Sequence, residues 1–168
     1  MSKYDEKLDI GIRPLVLAIR KIGLPTWSSC EGHLESKETH YPYVCFEANI
    51  PANFPKNFLI LRLLLKKWNS KRSLKWCLVD KKPYPWIELR PKSKNSKRYP
   101  QILQKLQEEA KELARFFSAE NITLEEEREI ETLLKEIDWA SKMVPKGKFL
   151  EISKEIKRRV KEILNRAS

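Results

Sequence analysis

Apolar residues recur along the first ninety positions with two different periods, and the switches between them mark out the elements. Ile12, Leu15, Val16, Ile19 and Ile22 keep the i, i+3, i+4, i+7 spacing of one helical face, which predicts a helix over about 10–22. Pro14 suits its first turn, and Gly23 suits the position just past its end. A strand is predicted over 24–30, with a turn at Glu31-Gly32-His33. Over 40–48 the period becomes two: Tyr43, Cys45 and Glu47 alternate with Val44, Phe46 and Ala48, the pattern of a strand with one buried face. Asn53 and Pro55 open a helix running through Trp68, with Phe58, Leu61, Leu64, Leu65 and Trp68 toward the core. Strands over 74–80 and 86–90 form a hairpin around 81–85, whose two prolines would remove ladder hydrogen bonds inside a sheet. On the return strand Ile87 and Leu89 face the core and Trp86, Glu88 and Arg90 the other side, whereas the period leaves the exposed face of 74–80 open.

From about residue 99 the period is helical throughout. Ile102, Leu106, Ala110, Leu113 and Phe117 form one stripe, and Thr123 with Glu126 has the form of a capping box opening a helix that carries Ile130, Leu133, Leu134 and Ile137. Pro145 and Gly147 interrupt the pattern, and Ile152, Ile156, Val160 and Ile163 make a last amphipathic helix. The expected fold class is therefore α+β: a small sheet with two packed helices, in an order near αββαββ, followed by a three-helix C-terminal segment. The expected units are an α+β domain over 1–92, a basic linker over 93–98 (part of the polar run Lys92-Ser93-Lys94-Asn95-Ser96-Lys97-Arg98) and a helical segment over 99–168. The three C-terminal helices carry no distinctive chemistry. Their role is to pack on the first domain or to pair with a second copy, which makes a homo-oligomer through these helices one expected assembly.

Composition narrows the classes. A chain of 168 residues is long enough to bury a core, and 41% apolar content supports a folded protein. High charge with only four glycines fits stabilisation by surface ion pairs, as in heat-adapted proteins. Residues 1–7 contain no apolar signal core, and the longest apolar runs, 15–19 and 58–65, are too short to span a bilayer. No membrane partner and a cytoplasmic location are expected. Three cysteines in such a chain point to free thiols or a metal rather than a disulfide framework. The net charge of +11 is concentrated: residues 56–98 hold fourteen basic and two acidic side chains, while the flanks are close to neutral.

Chemistry gathers in Ser28-Ser29-Cys30-Glu31-Gly32-His33, continuing to His40 and Cys45. Both histidines and two of the three cysteines lie in this stretch. One reading is zinc held by Cys30, His33, His40 and Cys45, although the spacing matches no common finger. A second makes Cys30 a thiolate nucleophile assisted by His33. A third is a binding turn, in which Ser28, Ser29 and the Gly32 backbone hold a phosphate, carboxylate or cofactor group. The plain alternative is that both cysteines are small buried hydrophobes.

The run Ser28-Ser29-Cys30-Glu31-Gly32-His33 resembles the Ser-Ser-Cys-Ser-Gly-Arg signature of the wybutosine-synthesis tRNA methyltransferase family. The similarity continues loosely through Val44-Cys45-Phe46-Glu47, the helix over 59–67 and Trp86-Ile87-Glu88-Leu89-Arg90, covering about 8–92. It implies a substrate and S-adenosylmethionine site at Ser28, Ser29, Cys30 and Gly32. Glu31 and His33 depart from the signature, which has Ser and Arg there. Losing that arginine removes a fixed cation, so a similar fold with another substrate is as compatible as the same reaction.

The basic segment supplies the other candidate surface. Lys66, Lys67, Arg72, Lys75, Lys81, Lys82, Arg90 and Lys92 can neutralise phosphates, and Trp86 can stack on an unpaired base. No zinc-finger, helix-turn-helix or basic-zipper signature is present, which favours RNA over sequence-specific DNA among polyanions, and the resemblance implies tRNA. The expected function is an RNA-binding or tRNA-modifying protein, methyltransferase-like if the resemblance holds. The alternative is a non-enzymatic binding or assembly module, zinc-stapled or not. The sequence does not decide between catalysis and binding.

Overall fold

The computed structural model describes residues 8–34, 39–47, 54–81, 86–92, 99–119, 122–143 and 146–166. The first helix, α1 (Arg13–Lys21), begins where the Asp9 carbonyl accepts from the Ile12 and Arg13 amides. It ends at Gly23, whose φ of +90° lets its amide reach the Arg20 carbonyl and the Leu24 amide reach Ile19. Four strands then make one antiparallel sheet: β1 (Thr26–Cys30), β4 (Tyr43–Glu47), β5 (Trp76–Asp80) and β6 (Trp86–Pro91), in the order β1-β4-β6-β5. Between the first two lies a short ribbon, β2 (His33–Leu34) paired with β3 (Thr39–His40). The pattern predicts one strand over 40–48; the chain instead breaks at Tyr41-Pro42, because a proline has no amide for the ladder. With α2 (Phe54–Ser70) before the hairpin, the order is αββαββ plus this ribbon, an α+β fold.

Helices α1 and α2 meet one face of the sheet. Val44, Phe46, Leu89 and Trp76 form a single core with Leu15, Val16 and Ile19 of α1 and Leu61, Leu64, Leu65 and Trp68 of α2. The C-terminal helices are α3 (Tyr99–Ala119), α4 (Leu124–Met143) and α5 (Lys146–Arg166). The first of them belongs to that core, since Ala110, Leu113, Ala114 and Phe117 are buried in it and α3 packs along α1. Helices α4 and α5 lie against the outer side of α2, where Leu59 and Leu63 meet Ile130, Leu133, Val160 and Ile163. The capping box is formed: the Thr123 amide donates to Glu126 (2.7 Å) and the Glu126 amide to Thr123 Oγ1 (3.1 Å). Among the described residues no helix is long and apolar enough to cross a membrane. Residues 93–98, expected as a linker, lie outside the described residues.

Period-two alternation assigns the other face of the sheet. Because Phe46, Val44, Leu89 and Leu78 point to the helices, their neighbours Cys45, Tyr43, Glu88, Arg90, Cys77 and Val79 point away. The exposed face of β5 is thereby settled: Trp76 and Leu78 are inward, and Cys77 and Val79 outward. At the edge, β1 carries a bulge. Thr26 pairs with Phe46 and Ser28 with the adjacent Cys45, leaving Trp27 as the extra residue.

Candidate functional site

Two features meet on or beside the face opposite α1 and α2. The first is aromatic. The bulge turns Trp27 onto this face, where its ring stacks on Trp86 with centroids 5.7 Å apart and planes 16° from parallel. Trp27 is 67% exposed, an uncommon state for the largest apolar side chain. Beside the pair, Glu88 is buried at 7% exposure and holds two cations, Lys81 at 3.2 Å and Arg90 at 3.3 Å. One carboxylate against two cations leaves that patch positive. Tyr41, Cys77, Arg90, Pro91 and Lys92 line a groove of about 150 Å³ at the far end of β6, where Tyr41 packs against Leu103 and Leu106.

The second feature is the Ser-Ser-Cys-Glu-Gly-His turn at the end of β1. Gly32 has φ of +88°, a conformation other residues adopt only under strain. Its amide donates to Cys30 Sγ (3.3 Å) and its carbonyl accepts from Gln107 Nε2 of α3 (3.3 Å). Glu31 reaches back to the start of α1, accepting from the Gly11 amide at 2.7 Å, while the Glu31 amide donates to Asp9 Oδ2 (3.3 Å). His33 Nε2 lies 3.7 Å from the same Asp9 oxygen. One ligand atom each from Asp9, Cys30 and His33 lies within 4.8 Å of the others.

The expected residues thus separate into groups. Cys30 and His33 come together, with Asp9 beside them. Cys45 does not join them: its thiol faces Glu88 Oε2 (3.9 Å), and burial first, then the Glu88 charge, pushes its pKa up to about 11 against a weaker opposing pull from Lys81. A thiol held protonated is a poor metal ligand. His40 is the cross-strand partner of His33. Ser28 Oγ lies 3.5 Å from Tyr43 Oη across the strand pair, and Ser29 pairs with Val44.

The nine nucleic-acid candidates also divide. Trp86 belongs to the aromatic pair, Lys81 pairs with Glu88 nearby, and Arg90 and Lys92 lie further along β6. Lys66, Lys67 and Arg72 lie on the helix side instead. Lys66 donates to Asn165 Oδ1 (2.7 Å), Lys67 pairs with Glu126 (3.1 Å), and Arg72 sits 4.3 Å over the Trp68 ring while pairing with Glu112 (2.9 Å). Lys75 Nζ donates to the Asn69 carbonyl, and Lys82 lies outside the described residues.

Sequence reasoning missed Asp9, Trp27 and Gln107. Asp9 carried one local signal, an acidic residue just ahead of a helix start. Trp27 was hidden because a bulge breaks the alternation that assigns faces. Comparison with known proteins finds no family model that matches the chain, and no curated protein or solved structure significantly similar to it. The resemblance to the tRNA methyltransferase signature rests on its own residues, Ser28, Ser29, Cys30 and Gly32.

Proposed function

We propose that the protein binds single-stranded RNA, a tRNA loop being the target class, across the sheet face opposite α1 and α2. The observation behind this reading is the exposed Trp27–Trp86 stack. Aromatic rings on an open sheet face are the means by which proteins stack unpaired bases, because every base offers a π-face. Lys81 and Arg90 flank Glu88, two residues along β6 from Trp86, and Lys92 follows at the far end of that strand, so a chain laid along the face could meet them with successive phosphates. Glu88 fixes the Lys81 and Arg90 head groups, so less side-chain freedom is lost on binding. The resemblance at residues 28–32 points to the same class of target.

Anisotropy of a labelled unstructured RNA tests the reading. Trp27→Ala is expected to weaken binding by about tenfold or more, since stacking on one aromatic side chain contributes roughly 1–3 kcal/mol. The melting temperature should hardly move, because Trp27 is exposed. The same RNA annealed to its complement should bind less well. Equal affinity for parent and Trp27→Ala, or a preference for duplex, would sink the proposal.

A further inference from the structure

We infer that Asp9, Cys30 and His33 form a three-ligand site for zinc or a zinc-like divalent cation at the rim of the open sheet face. A thiolate, an imidazole and a carboxylate are the donor types zinc accepts, and three protein ligands leave one position for water or an incoming group. Tetrahedral zinc with ligands at about 2.0–2.3 Å sets its donor atoms roughly 3.3–3.6 Å apart. The Asp9–His33 separation of 3.7 Å is already within reach of that value. Cys30 Sγ lies within 4.8 Å of both other donor atoms.

The supporting hydrogen bonds separate this cluster from a chance meeting of polar groups. The Gly32 amide donates to Cys30 Sγ and the Glu31 amide to Asp9 Oδ2, so two of the three donor atoms are oriented by the backbone of one turn. Glu31 is itself occupied by the Gly11 amide and holds the turn against α1. The turn therefore does not depend on the metal for its shape. Nor does the geometry suit a relay of Cys, His and Asp, which would use both ring nitrogens of His33. Here one nitrogen is shared between thiol and carboxylate. His33 and Asp9 are 44% and 39% exposed, which leaves an approach from solvent.

Cobalt replaces zinc in such sites and reports on its ligands. The full chain, stripped of metal and titrated with Co2+, should take up one equivalent and develop a thiolate-to-cobalt charge-transfer band that excess Zn2+ abolishes. Cys30→Ser should lose the band, Cys77→Ser should keep it, and Asp9→Asn or His33→Gln should weaken cobalt binding about tenfold or more. Zn2+ should also slow alkylation of Cys30 by iodoacetamide, read by mass spectrometry, while Cys77 reacts at an unchanged rate. That second measurement needs no variant and survives any folding defect. A band that persists in Cys30→Ser, or no metal protection of Cys30, would overturn the site. Neither readout involves RNA, so its outcome is independent of the nucleic-acid proposal.

Discussion

Cys30 and Cys45 share one face of the sheet, yet their surroundings drive them apart. Cys30 receives an amide hydrogen bond at the rim, whereas Cys45 is enclosed beside a carboxylate that disfavours its ionisation. With its pKa raised from 9.0 to about 11 in the folded state, Cys45 contributes stability that is fully present below pH 9 and lost as pH rises toward 11. The full loss is about 3 kcal/mol, two units at roughly 1.4 kcal/mol each. Denaturant titrations at pH 8 and pH 10.5 should show this part of the decline in the parent but not in Cys45→Ala, which isolates it from lysine titration. Glu31 is a second instructive residue. It departs from the resembling signature, and its partner, the Gly11 amide, lies twenty positions away. No local pattern could announce that pairing, so the residue that seemed to put the motif in doubt is the one that anchors the turn.

At the level of elements, periodicity carried most of what was needed. The helices, the hairpin and the capping box were legible because each depends on neighbours within a few residues. The Tyr41-Pro42 break and the β1 bulge were not, since both are decided by which strand lies alongside. The same holds for the basic segment, whose residues divide between two sides of the sheet. The capping box also does more than its sequence form implies. Burial alone would raise the Glu126 pKa, but hydrogen bonds from the Thr123 amide and Lys67 outweigh it and hold the carboxyl below its usual range. Its contribution is thus present above about pH 4.5 and fades on acidification below that. Glu126→Ala is expected to cost about 1–2 kcal/mol, a lost cap plus a lost tie to α2. Glu125→Ala, one position earlier and exposed, should cost less than about 0.5 kcal/mol. Urea unfolding of both variants at neutral pH checks the contrast.

For the whole molecule, the fourteen cations of residues 56–98 do not act as one surface. Lys56 pairs with Glu127 and Glu131, Lys67 with Glu126 and Arg72 with Glu112, so the acidic faces of the C-terminal helices offset part of the excess. The proposed binding assigns phosphate contacts to Lys81, Arg90 and Lys92, which lie along β6 and its hairpin partner. Replacing these three by Ala should flatten the plot of log affinity for single-stranded RNA against log salt by about 2, at roughly 0.7 per phosphate contact. Replacing Lys56, Lys67 and Arg72 instead should leave that slope unchanged. The β1 bulge has one more consequence at this scale. An edge strand with evenly spaced amides and carbonyls invites a foreign strand to extend the sheet, the first step toward aggregation. The extra residue at Trp27 throws that row out of phase, so the irregularity that brings out an aromatic platform also guards the exposed rim of the sheet against fibril-like growth.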